Sequence, residues 1–262
     1  MMIDNIAAIF LDVGNTLRIL TQDAPHQAAA RQRIVDLVGA PDRPEDLDVE
    51  LNRRYKAYRK WAFETLIEAS EPELWTRWLL PEYSPDRIAG LAHELTYQFR
   101  QSMGRRVLAA DGRDVVIELH RRGYILGIIS NVITTEEIPD WLAADGLDIY
   151  FKSVVLSSVM GRRKPDPVLF HEAARRAGVG LAQCIYVGDN ASRDVVGSRR
   201  AGFGGVILLP DPSDRDKPMP AEFQPDLIIH SLSELLNHFP ARPIAGRPAS
   251  ESGQLTRDPE HS

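Results

Sequence analysis

A chain of 262 residues has room for one large domain or two smaller ones, at roughly 100–200 residues each. With 44% hydrophobic and 26% charged residues, it is neither disordered nor collagen-like. A formal net charge of −6 argues against a nucleic-acid partner, because such binding needs a basic surface to displace phosphate counterions. The single cysteine, Cys184, excludes an intrachain disulfide.

The apolar runs, such as residues 7–11, fall far short of the roughly 18–20 residues that cross a bilayer. The first residues, Met-Met-Ile-Asp-Asn, lack the basic start of a signal peptide and carry an acid at Asp4. The expectation is a cytoplasmic protein without a membrane partner.

In chain order, residues 6–11 form a continuous apolar run, the pattern of a strand buried on both faces of a parallel sheet. Residues 18–105 show no strand-like run and read as helices. Leu47, Leu51, Tyr55, Tyr58, Ala62 and Leu66 share one stripe of a helix over 45–69. Trp75, Trp78 and Leu79 begin a second helical stretch, and Leu91, Leu95 and Phe99 mark a third. Trp61, Trp75 and Trp78 suit a helical core as well as a substrate contact.

Beyond this block, apolar runs at 124–129, 154–156, 184–187, 206–209 and 227–229 alternate with helical patterns at 113–122, 167–177 and 192–201. Gly123, Gly178 and Gly202 close the helices. The alternation predicts an α/β fold with a Rossmann-like parallel sheet and an inserted all-helical domain. Its parts are a core of residues 1–17 and 106–240, a helical cap of 18–105, and a flexible tail of 241–262. The tail is rich in Pro, Gly, Ser and charge.

Ligands of open parallel sheets bind beyond the carboxyl ends of the strands. There the chain carries Asp12 after the first run, Ser130 and Asn131 after the second, and Asp189 with Asp194 after the fourth. The third leads to Lys164-Pro165-Asp166-Pro167. Taken singly, each residue also suits a turn, a helix cap or a solvated loop. Clustered carboxylates repel one another, and a fold tolerates them when a cation lies between.

The segment Leu11-Asp12-Val13-Gly14-Asn15-Thr16-Leu17 resembles the first motif of the haloacid dehalogenase superfamily, D-x-D-x-T. Ile129-Ser130-Asn131, Lys164-Pro165-Asp166-Pro167 and Gly188-Asp189-Asn190-Ala191-Ser192-Arg193-Asp194 resemble its second, third and fourth motifs. The resemblance covers residues 3 to 236 and implies a helical C1-type cap between the first two motifs. It implies Mg²⁺-dependent hydrolysis of a small phosphorylated metabolite. Asp12 is then the nucleophile that forms an aspartyl phosphate. Asp12, the carbonyl of Gly14, Asp189 and Asp194 serve the metal. Thr16, Ser130, Asn131 and Lys164 serve the substrate, and Lys164 also offsets the Asp12 charge.

One position departs from the pattern. The second Asp of D-x-D, the acid–base group of family phosphatases, is Gly14 here. Family members that cleave C–P bonds lack that Asp and use a cap lysine, for which Lys56 and Lys60 are the candidates. Asp23 and His26 lie near the first loop and are further candidates. A binding protein without turnover is the third reading.

Overall fold

The computed structural model describes residues 5–41, 43–212 and 219–242. Residues 1–4, on which the expectation of no signal peptide largely rests, and the expected tail from residue 243 onward lie outside the described residues. Arg242, within them, donates its backbone N–H to the Arg122 carbonyl at 2.9 Å.

The chain begins with strand β1 (Ala8–Leu11) and strand β2 (Arg18–Thr21). Helices α1 (Ala24–Val38), α2 (Pro44–Thr65), α3 (Glu71–Glu73) and α4 (Pro85–Ser102) follow, with a π-helical turn at Leu74–Leu79. Strand β3 (Arg105–Leu108) returns antiparallel to β2, with Arg18 opposite Leu108. Next come α5 (Gly112–Arg121), β4 (Ile125–Ser130), α6 (Glu137–Ala144), β5 (Phe151–Leu156), α7 (Ser157–Met160) and α8 (Pro167–Ala177). The chain continues through β6 (Cys184–Gly188), a π-helical turn at Ala191–Val195, α9 (Val196–Ala201), β7 (Gly205–Leu208), β8 (Leu227–Ile228) and α10 (Leu235–His238).

Among the described residues, six strands form one parallel sheet in the order β5-β4-β1-β6-β7-β8. Successive residues of a strand face opposite sides. Ile9, Leu11, Ile185 and Val187 therefore pack with α5, α6 and α10. Ala8, Phe10, Cys184 and Tyr186 pack with α8 and α9 on the other face. Both faces are covered, which is why these strands are apolar without alternation. Gly127 in β4 has no room for a side chain, because a Cβ there would strike the Phe10 ring.

The helical block has its own core, where Tyr58, Trp75, Leu79, Leu95 and Phe99 are fully buried. The Trp61 and Trp78 rings meet at a tilt, 5.1 Å apart, on its margin. Residues 18–105 are not wholly helical, since β2 and the first residue of β3 fall inside them. The ribbon escapes a pattern search because it is four residues long on each side and half exposed. Among the described residues, no helix is long and apolar enough to cross a membrane.

Candidate active site

Strand register brings the loops of the first, second and fourth motifs level. Leu11 lies beside both Ile128 and Val187. Asp12 thus leaves the sheet next to the ends of β4 and β6, and its N–H donates to the Val187 carbonyl at 2.8 Å. Carboxylate oxygens of Asp12, Asp189 and Asp194 lie within 4.8 Å of one another. Gly188 permits this, because a Cβ there would collide with the Asp194 carboxylate.

Lys164 enters from the third-motif loop with its side chain fully buried. Its Nζ lies 2.8 Å from Asp194 Oδ1 and 3.2 Å from Asp12 Oδ1, and donates to Tyr186 Oη at 2.6 Å. Tyr186 in turn donates to the Ile129 carbonyl at 2.8 Å. The Asn131 side chain grips the Lys164 backbone at both ends, accepting from its N–H at 2.8 Å and donating to its carbonyl at 3.0 Å. The neighbouring Arg163 is clamped by both oxygens of buried Glu68, at 2.7 and 2.8 Å. Glu68 follows α2, so the helical block braces the loop that carries Lys164.

Asp189 receives Asn15 Nδ2 at 3.2 Å and Arg193 at 3.4 Å. Asn15 holds the left-handed region at φ 54°, which turns its amide toward Asp189. Burial, then the carboxylates of Asp12 and Asp194, push the Asp189 carboxyl up to about 7. The Asp194 carboxyl is also raised, by burial first. For Arg193, burial works against the charge and the carboxylates of Asp194, Asp12 and Asp189 outweigh it.

Three clustered carboxylates, two of them with raised pKa values, make an all-oxygen donor set that fits a hard divalent cation. The Gly14 carbonyl stays outside the local backbone bridge, which uses Val13 O and Asn15 N.

A cavity of about 250 Å³ lies beside this cluster, lined by its chain neighbours Gly14, Asn15 and Arg193 and by Ser130, Asn131 and Trp141. Arg18, Arg59, Arg100, Arg106 and Arg193 surround it. The three carboxylates themselves line neither this cavity nor the larger ones of about 660 and 470 Å³. Thr16 faces the one of 470 Å³, and its Oγ1 is buried without a partner among the described residues.

Lys56 and Lys60 are exposed on α2 and line none of these cavities, and Lys60 pairs with Glu64. Asp23 caps α1 and pairs with Arg105, while His26 meets Gln101 at 3.0 Å. The arrangement can therefore present Asp12 to an electrophile, charge-balanced by Lys164, beside a cationic opening.

Residues 56–207 match the haloacid dehalogenase-like hydrolase family. The chain belongs to that family. It is similar to the glyceraldehyde 3-phosphate phosphatase of Methanopyrus kandleri, 32% identical over 124 residues, covering 47% of this chain and 52% of that protein. It is also similar to the phosphoserine phosphatase of Thermus thermophilus, 33% identical over 145 residues, covering 55% and 56%. The chain thus spans about half the length of the curated relatives it matches. A 2-haloacid dehalogenase structure from Pseudomonas syringae aligns with TM-score 0.64 at 24% identity, over 89% of this chain and 97% of that one. A magnesium-bound HAD-hydrolase from Bacillus subtilis aligns with TM-score 0.61 at 22% identity, over 89% and 98%. These two likenesses carry the fold.

For the hydrolase, metal-free stability depends on Asp189. Its carboxyl is raised from 3.8 to about 7 on folding. The contribution of protonated Asp189 to stability is then full below about pH 4 and is lost as pH rises through about 7. Asp189→Asn is expected to stabilise the metal-free protein at pH 8 by on the order of 2–4 kcal/mol, or roughly 5–10 °C. The gain at pH 5 is expected to be smaller. Melting curves in EDTA at the two pH values check this, and a gain that is equal at both, or absent, rejects it.

Proposed function

We propose that this chain is a Mg²⁺-dependent phosphatase acting on a small phosphorylated metabolite through an aspartyl phosphate at Asp12. The observation that carries the reading is the convergence of Asp12, Asp189 and Asp194 within 4.8 Å, with Lys164 against Asp12 and Asp194, beside an arginine-lined cavity. The phosphatases among its relatives support it. Asp12, Asp189, Asp194 and the Gly14 carbonyl would hold Mg²⁺, which would supply positive charge to the phosphoryl oxygens.

A carboxylate oxygen of Asp12 attacks phosphorus, the ester P–O bond breaks and the alcohol leaves. Water then attacks the same phosphorus, releasing phosphate and restoring Asp12. Lys164 and Ser130 bind the transferring phosphoryl oxygens. Asn131 serves that step by holding the Lys164 backbone. Gly14 offers no carboxyl, so the leaving oxygen takes its proton from water. The helical block acts as a cap that covers the site.

The absence of a side chain at Gly14 favours one second reading, a phospho-ligand binder without turnover. A panel of phosphate esters assayed with Mg²⁺ and with EDTA separates the two. Mg²⁺-dependent release of phosphate is expected. Ligand binding without release sinks the catalytic reading.

A further inference from the structure

The phosphoryl site does not use all the positive charge around the cavity. Arg18 is paired with Asp145, Arg100 with Glu137, and Arg193 with Asp189. Arg59 and Arg106 remain, and neither has a carboxylate within ion-pair distance among the described residues. Arg106 donates to the Arg100 carbonyl at 2.8 Å, which aims the guanidinium without neutralising it. Burial, and then Arg100, lowers its pKa to about 10, so it stays charged at neutral pH. The carboxylate that acts on it, Glu137, is already paired with Arg100, and a largely buried guanidinium that shares one carboxylate with a second arginine is destabilising to the empty protein. The cost is offset when an anion arrives.

Origin matters as well. Arg59 comes from α2 and Arg106 from the β2–β3 ribbon, whereas the phosphoryl ligands come from the sheet edge. Both arginines line the same cavity as Gly14 and Ser130. At about 250 Å³, it lies below the roughly 300–1,000 Å³ of drug-sized sites, so its ligand is small.

From these placements, and resting on the phosphatase reading, we infer that the substrate is a short phosphate ester carrying a second anionic group, which Arg106 and Arg59 bind. A carboxylate and a second phosphate share that chemistry. Each accepts charge-assisted hydrogen bonds from a guanidinium fork.

The test uses size-matched esters on the Mg²⁺-loaded full chain: ethyl phosphate, 2-phosphoglycolate and ethylene glycol bisphosphate. At least one of the two esters that carry a second anionic group is expected to exceed ethyl phosphate in kcat/KM by about 10–100-fold. The better of the two tells carboxylate from phosphate. Arg106→Gln and Arg59→Gln are each expected to cut that ratio by about tenfold. Arg59 is exposed on its helix, so Arg59→Gln retains the fold even where Arg106→Gln does not.

Binding is read separately from turnover by melting temperature with phosphonoacetate against ethylphosphonate. Phosphonoacetate is expected to raise it more, and Arg59→Gln to shrink the difference. If no ester is hydrolysed while phosphonoacetate still wins, the phosphatase reading fails and the second anion site stands. Equal kcat/KM for all three esters, with equal shifts from the two phosphonates, overturns the inference. Variants that keep the wild-type ratio also overturn it.

Discussion

Asp12→Asn is expected to lower phosphate-ester turnover by about 10⁴–10⁶-fold while the protein stays folded. The substitution is nearly isosteric. Asn keeps an oxygen to accept the Val13 N–H, a bond of 2.7 Å in the wild type. Lys164 loses one anionic neighbour but keeps Asp194 at 2.8 Å. The buried lysine is therefore not stranded, and the large cost of an unpaired buried charge does not arise. What disappears is the nucleophile. An amide oxygen does not displace an alkoxide from phosphorus. Initial rates on the best ester of the panel, beside a melting curve in EDTA, check the two halves of the expectation. Acid-quenched wild type should hold covalent phosphate during turnover and the variant none. Turnover by purified, folded Asp12→Asn within tenfold of wild type would end the aspartyl-phosphate mechanism.

Much of the sheet was legible because parallel strands covered on both faces need continuous apolar residues. Residues 6–11 and 184–187 have no polar position to confuse the reading. The same logic placed Asp12, Ser130 and Asp189 at strand ends, and the register of β1 against β4 and β6 brings those ends together. The supports of the site were less visible. Tyr186 sits inside an apolar run and reads as core, yet its hydroxyl bridges Lys164 and the Ile129 carbonyl. A phenol among aliphatic strand neighbours was the available signal. Asn15 needed a left-handed backbone angle to reach Asp189, and nothing local announces one. The arginines at positions 18, 59, 100, 106 and 193 converge only through the tertiary fold. In the sequence Arg59 looks like one more solvated charge on a basic helix face. The β2–β3 ribbon that positions Arg18 and Arg106 was missed for the same reason, since its residues are half exposed and its partner strand lies beyond the helical block.

Gly14→Asp is expected to raise the rate on alkyl phosphates by about 10²–10⁴-fold, the usual worth of a positioned acid–base group. The site can accept the side chain. A Cβ built at Gly14 meets nothing within 4 Å. The residue is also not among the glycines with positive φ, so an L side chain adds no backbone strain there. Gly14 lines the cavity beside the carboxylate cluster, and on the proposed mechanism a carboxyl at that position is expected to protonate the leaving oxygen. The chemistry then predicts a selective gain. An alkoxide is a poor leaving group and benefits from a proton in the transition state, whereas a phenolate departs with little help. The alkyl-to-aryl ratio of kcat/KM should therefore rise, with a smaller rise in the aryl rate from faster hydrolysis of the aspartyl phosphate. A fourth carboxylate also adds repulsion to Asp12, Asp189 and Asp194 when no cation is bound. The variant should melt lower than wild type in EDTA and gain more from millimolar Mg²⁺, which separates a misfolded protein from a folded one awaiting metal. An unchanged alkyl-to-aryl ratio in the folded, Mg²⁺-loaded variant would mean that position 14 does not govern leaving-group protonation. The proton would then already reach the leaving oxygen by another route, and the glycine would not be the catalytic deficit of this hydrolase.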